Sequence, residues 1–428
     1  MSHSSWIHRQ PTLLPGRPIP PRLLYRWRAA AFGFFMWMSF ALYALYVVRD
    51  AGLTPFELLI VGTVLEFSVV AFEIPTGVLA DSVSRRLSII FGLAVAGAGW
   101  AVMGLFPSFE GIAGGQLLWG FGYTFISGAS EAWLADEMGE DEAAAVYPAA
   151  AQWRQAARVA GVLAGAGLGL VNASLPFLVG GAGSICFAVF CLFTMTEAGW
   201  HPTAVEGGAA RFASMRRIAS DGLSAARQRP MVRAAIAVAV LWGASSEAFD
   251  RLWGFHLLED IGVGDTNEVI LFGAIAIASQ VGGFGLVALG RRLTRDRTRA
   301  TAARVLSGFY TAAVIVPLAF ALAPNAGVAV ALVAMVQWIS AAENPFFMMW
   351  VNRGLDPRTR ATVLSSVEQS NSLGQVVSTL LLAGIAAVGG VGVALAVGAL
   401  LVAPAVLFVR TVPLEEREER EGVTVPGD

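Results

Sequence analysis

Ten ionisable side chains lie inside long apolar stretches of the chain: Glu66, Glu73, Glu131, Arg154, Arg158, Glu247, Asp250, Arg251, Glu343 and Glu368. Charged groups in hydrocarbon are costly and usually mark a path for ions or substrate. A carboxylate in a low-dielectric cavity can take up and release a proton. An arginine beside it instead makes an ion pair that fixes helix packing. Spacing separates some of these roles. Glu66 and Glu73 are seven apart and share one helix face. Glu247 and Arg251 are four apart and can pair directly. At about 1.5 Å per residue, Glu73 and Arg154 come to a similar depth, as do Glu343 and Glu368. We expect Glu247–Arg251 and Glu73–Arg154 to be fixed pairs. Glu66, Glu343 and Glu368 have no obvious basic partner and are the favoured proton carriers. Glu73, Glu131, Glu247 and Asp250 are further candidates. The alternative for each is a purely structural ion pair.

The elements that must hold these groups follow from composition. Of the 428 residues, 56% are hydrophobic and 14% charged, against roughly 25% charged in soluble domains. The charges cluster between apolar segments of about 20 residues, the length that spans a bilayer. Twelve spans are predicted: 26–48, 55–80, 87–106, 110–134, 147–171, 175–197, 233–257, 267–290, 301–323, 326–352, 361–388 and 391–410. The fold class is an all-α membrane protein. The lipid bilayer is its first partner.

Arginine placement orients the spans, because positively charged loops stay cytoplasmic. Arginines crowd the N-terminal tail and the even-numbered loops, while the odd-numbered loops hold only Arg49. Both termini are therefore expected in the cytoplasm, in a bacterial inner membrane. The acidic run Asp136, Glu137, Glu140, Asp141 and Glu142 departs from this pattern but weighs little in the rule. The longest loop divides the spans six and six. We expect a cytoplasmic tail at 1–24, a six-helix half at 25–198, a linker at 199–231, a second half at 232–410 and a tail at 411–428. Within the linker, Ala209–Arg229 reads either as a basic amphipathic helix on the inner leaflet or as a solvated connector.

Several function classes are excluded. A net charge of −2 gives no field for nucleic acid. All basic residues are arginine, so there is no lysine for a Walker A loop or a Schiff base. Cys186 and Cys191 point roughly 140° apart on one helix, which argues against a disulfide. His3, His8, His201 and His256 lack metal-ligand spacing. No nucleophile groups with a base, so an enzyme, a cofactor or a metal is not expected. The Pro- and Arg-rich start reads as a tail and not as a cleaved leader.

An offset near 210 relates the halves. Val47-Val48-Arg49-Asp50-Ala51-Gly52 corresponds to Leu257-Leu258-Glu259-Asp260-Ile261-Gly262. Ile126-Ser127 before Glu131 corresponds to Ile339-Ser340 before Glu343. Such repeats are usual in secondary transporters. The most specific motif closes the second span, Gly77-Val78-Leu79-Ala80-Asp81-Ser82-Val83-Ser84-Arg85-Arg86. It resembles the signature that major facilitators carry between their second and third helices. Gly77, Leu79, Ala80, Asp81, Arg85 and Arg86 match. Ser82 and Ser84 replace the usual Arg and Gly. The resemblance implies that Asp81 accepts hydrogen bonds from the start of the eleventh helix. It also implies that Arg85 and Arg86 pair with acids ending the fourth, such as Glu131 or Asp136. Together these would latch the outward-facing state. The alternative is a turn and anchor.

The resemblance further implies that the first, fourth, seventh and tenth helices surround a central cavity. Each carries one mid-span tryptophan: Trp37, Trp119, Trp242 and Trp338. Aromatic walls suit amphipathic organic molecules, and the alternative is helix packing. Gln116, Gln280, Asn344, Gln369 and Asn371 are candidate polar groups of that cavity. Trp27, Trp133, Trp253 and Trp350 read as an interfacial belt. Pro75-Thr76-Gly77 and the aromatic cavity look like the multidrug and antibiotic efflux branches, the drug–proton antiporters. Two of their marks are missing: Gln116 stands where an arginine is common, and the fifth helix has Gly161 to Gly167 without a Gly-Pro pair. Export of a small organic molecule against protons, by a monomer, is the leading expectation. A proton-coupled importer and a non-transporting receptor or scaffold are the alternatives; the short tail after Thr411 leaves no room for a signalling domain.

Overall fold

The computed structural model describes residues 19–200, 230–294, 299–352 and 360–411. The expected surface helix at Ala209–Arg229 and most of both tails lie outside them. The described residues form fifteen α-helices and one π-helical turn, with no strand among them. In chain order they are α1 (Pro21–Phe40), α2 (Tyr43–Arg49), α3 (Pro55–Ser82), α4 (Arg85–Leu105), α5 (Phe109–Ile126), α6 (Ala129–Met138), α7 (Glu140–Gly169) and α8 (Leu175–Thr194). Then follow α9 (Pro230–Phe255), α10 (Glu268–Leu293), α11 (Arg299–Ala321), α12 (Ala326–Asn352), α13 (Arg360–Gly389), α14 (Val391–Leu401) and α15 (Ala403–Thr411). The π turn, His256–Ile261, extends α9.

Three rods are broken, so the fifteen helices make the twelve predicted spans: α1–α2, α5–α6 and α14–α15 are one rod each. The break in the fourth rod was not expected. Ser127 is extended and Gly128 takes φ +71°, a conformation that L side chains avoid. Ten rods are long and apolar enough to cross a membrane. The exceptions are α5–α6, whose apolar run is diluted by Glu110, Gln116, Glu131 and several glycines, and α7, which carries Arg154 and Arg158. Helix starts follow local chemistry. The Thr54 side chain caps α3 and Glu57 reaches back to the Thr54 backbone, a reciprocal capping box. Ser84 and Ser108 accept from Leu87 and Gly111 at the starts of α4 and α5.

Packing repeats along the chain as the 210-residue offset predicts. The α1–α7 contact recurs as α9–α13, α4–α5 as α11–α12, and α4–α8 as α11–α14. Missing side chains permit the close approaches. A Cβ on Gly161 or Gly165 would collide with the carbonyls of Phe34 or Met38, and one on Gly374 with the carbonyl of Val240. One apolar core joins both sets of helices around Tyr46, Trp100, Phe177, Trp253 and Phe320. A second lies around Leu24, Ile89 and Trp133.

Candidate functional site

At the Arg49 end of the bundle, two ion pairs tie the first set of helices to the second. Arg49 pairs with Glu259 of the π turn, and with Glu268 of α10 at 2.6 Å. The side chains of α2, α7, α9 and α10 also meet here, Gly254 against Ala44 and Gly273 against Ala166. Deeper in, Gln155 of α7 donates to Gln280 of α10 at 3.2 Å, and Ser372 of α13 lies close to Glu66 of α3. In the parts of α3, α7 and α13 away from that end, Glu73, Arg154 and Glu368 are exposed.

A charged cluster lies at mid-depth beneath the Arg49 closure. Arg251 Nε donates to Glu247 Oε1 at 3.0 Å, with Glu247 only 2% exposed. The pair was expected from its four-residue spacing. The sequence did not show the company it keeps. Glu66 and Asp250 both lie within electrostatic reach of Arg251, so Glu66 is not without a basic neighbour, as first expected. Gly62 makes room for the pair, since a Cβ there would collide with both side chains. Without a partner, either buried charge would be strongly destabilising.

Next to this cluster opens a cavity of about 420 Å³. Its aromatic wall is Trp37, Phe40, Tyr43, Trp253 and Phe272. Arg158 and Asp250 line it as charges, and Ser279, Gln280, Gln337 and Ser340 as neutral polar groups. The Arg158 guanidinium carbon lies 4.2 Å from the centroid of the Trp37 ring, within cation–π range. A second cavity of about 280 Å³ is lined by Trp242, Glu343, Asn344, Glu368, Asn371 and Ser372 among others. Tyr310 donates to Glu343 Oε1 at 2.6 Å, and its ring packs on Trp242.

The loop between α3 and α4 holds a compact ion cluster. Arg85 pairs with Asp136 at 2.6 Å and with Asp81 at 3.2 Å. The Arg85–Asp136 contact is one the family resemblance implied, whereas Asp81 meets Arg85 of its own loop. Arg86 instead turns to α8, donating to the Leu192 carbonyl at 2.6 Å. Its backbone N–H and the Ser84 hydroxyl both donate to Glu197. Glu197 then caps the start of α4, where unpaired donors favour an anion. No motif pointed to Glu197. Glu131 is held by Tyr25 at 2.9 Å and pairs with neither arginine. The space beside Gly77 is open among the described residues.

The family profile described as Major Facilitator Superfamily matches residues 29–379. The chain belongs to the Major Facilitator Superfamily. Solved structures agree in fold. The nucleoside transporter NupG superposes with a TM-score of 0.67 at 13% identity, over 92% of this chain and 98% of that one. PepTSo, a POT family transporter, gives 0.70 at 11%, over 92% and 98%. The human organic anion transporter MFSD10 (TETRAN) gives 0.57 at 16%, over 91% and 100%. No curated protein matches. The twelve-helix facilitator fold is thereby established for this chain.

In this facilitator several expected residues face elsewhere. Of the four mid-span tryptophans, only Trp37 lines the larger cavity and Trp242 the smaller. Trp119 stands behind Phe40, with centroids 4.8 Å apart. Trp338 packs on Gly282, donates to the Ala278 carbonyl at 2.9 Å and lines an apolar groove of about 410 Å³ instead. Gln116 is fully buried and donates to the Tyr43 hydroxyl at 2.9 Å. Gln369 is exposed and lines neither cavity. Glu73 makes no pair with Arg154; the charge within its reach is Glu368, across the halves. Trp133 and Trp350 are buried rather than interfacial, and Trp253 is a cavity wall.

Proposed function

We propose that this facilitator exports small amphipathic organic molecules across a bacterial cytoplasmic membrane in exchange for protons. The observation that carries the reading is the aromatic cavity of about 420 Å³ that holds Arg158 and Asp250. Its size falls within the roughly 300–1,000 Å³ typical of small-molecule sites. Aromatic walls accept an apolar body, and the two charges supply polarity at fixed points. The arginine count supports cytoplasmic termini and so an outward-facing Arg49 end. With that end tied, and Glu73, Arg154 and Glu368 exposed away from it, the arrangement fits loading from the cytoplasm.

Alternating access would then rock two six-helix halves, 25–198 and 232–410, joined by the linker at 199–231, within a monomer. The Asp81–Arg85–Asp136 cluster would close the cytoplasmic side once Arg49 lets go. Protons would travel by Asp250, Glu66, Glu343 and Glu368, which share the two cavities or border them. Among the described residues Glu343 is held by a neutral donor, Tyr310, which leaves it free to change charge.

Everted vesicles carrying the protein test direction and coupling. Acidifying the interior should drive accumulation of a fluorescent amphipathic zwitterion such as rhodamine B, and collapsing the gradient should release it. Glu343→Gln and Glu368→Gln should each lower that flux at least about tenfold, as loss of a proton-transfer group does. Undiminished flux in both variants would exclude them as carriers. Accumulation driven by an alkaline interior would reverse the direction.

A further inference from the structure

Arg158 is a cation without a counter-charge. No carboxylate lies within ion-pair distance of it among the described residues, and its Nε has no hydrogen-bond partner. Arg154, one turn away on α7, adds like charge and does not neutralise it. Trp37 covers one face of the guanidinium at 4.2 Å. That contact leaves the in-plane N–H groups for an acceptor, because a ring binds the face and not the edge of a guanidinium. Asp250 is the opposite case. It is exposed, lines the same cavity and makes no ion pair of 4.0 Å or less with any described residue. Arg251 on its own helix is already committed to Glu247 at 3.0 Å. The other charges around Asp250 are Glu66 from α3 and Glu247 from α9; Tyr43 and Arg158 face the cavity from α2 and α7.

One cavity therefore offers an unpaired cation on α7 and an unpaired anion on α9, with Trp37, Phe40, Tyr43 and Trp253 also lining it. We propose that its substrate is a zwitterion with a flat aromatic body. The anionic group sits on the Arg158 fork, the ammonium group on Asp250, and the ring system against the aromatic wall. A plain organic anion would face Asp250 uncompensated, and a plain organic cation would face Arg158. This deepens the export reading and rests on the cavity being the transport site. In that setting the ammonium takes the place a proton would hold on Asp250, the competition that exchange requires.

Matched probes on one ring test it: L-tryptophan (zwitterion), tryptamine (cation) and indole-3-propionate (anion), each measured by equilibrium binding to the purified full-length protein in nanodiscs. Binding needs no gradient, so the result is independent of transport direction, and failure of the flux assay leaves it standing. Tryptophan should bind about tenfold or more tighter than either single-charge analogue, the gain from one charge-assisted hydrogen bond. Arg158→Gln should remove that advantage over tryptamine, and Asp250→Asn the advantage over indole-3-propionate. Arg158→Lys, which keeps the charge, should restore part of it and controls for misfolding. Equal affinity for all three probes, tighter binding of a single-charge analogue, or no binding of any of them overturns the proposal.

Discussion

Arg251 and Glu247 show how far single residues can be read and where reading stops. Their pairing follows from one helix and a four-residue step, so the sequence reveals it. Glu73 needed knowledge of another helix's rotation, and depth alone matched it wrongly with Arg154. Depth comes from counting residues along an axis; azimuth depends on which face each neighbour covers. The same gap explains Trp338, which turns towards Gly282 and Ala278 of α10. The buried pair also sets a stability expectation. Glu247→Ala strands Arg251 and should cost about 3–5 kcal/mol, seen as a large fall in thermal unfolding temperature in detergent. Glu247→Met with Arg251→Met removes both charges and should unfold close to the wild-type temperature. If the single and double variants unfold together, the pair is not the source of the loss. Tyr310→Phe is a milder case. It takes from Glu343 the donor that holds it among the described residues and should cost roughly 1–3 kcal/mol, whereas Tyr310→Gln also loses the buried ring against Trp242 and should cost more.

At the level of elements, the spans were legible because their ends carry chemistry. Thr54, Ser84 and Ser108 sit one residue before helices, and Pro21, Pro55 and Pro176 in first turns. The fourth rod was read as continuous because it already contains many glycines, so Gly128 gave no contrast. Its backbone is the contrast: φ +71° and ψ −46°. Gly128→Ala should therefore destabilise by about 1–3 kcal/mol, whereas Gly167→Ala on α7, with open space beside it, should stabilise or leave stability unchanged. Unfolding midpoints of the two variants, compared side by side, check this. A wild-type midpoint for Gly128→Ala would mean that the rod straightens in the membrane. The glycine contacts of α7 with α1 and of α13 with α9 were legible as small residues but not as partners, since small residues permit contact without naming it.

The whole molecule turns on a balance between its two ends. Arg49, Glu259 and Glu268 are partly exposed, 37%, 41% and 28% at their side chains, so each pair contributes only about 0.2–1 kcal/mol. Such weak ties suit a gate, because a lock worth much more would hold one state against any substrate. The sequence placed Arg49 and Glu259 at matching points of the repeat, and the same offset that showed the duplication brought them into register across the pseudo-symmetric halves. Removing Arg49 breaks both ties at once. Their sum, roughly 0.4–2 kcal/mol, would shift the ratio of the two access states by about 2- to 30-fold towards opening at that end. The test uses a background in which Cys186 and Cys191 are replaced and a cysteine stands at Ala44, which packs against Gly254 beneath the gate. Labelling by an impermeant maleimide from outside the cell should speed up with Arg49→Ala and should speed up less with Glu268→Gln, which leaves the Glu259 tie in place. Equal rates in all three proteins would place the barrier in the apolar packing of α2 on α9 rather than in the charges, and the gate would then be sought at Gly254 and Ala44.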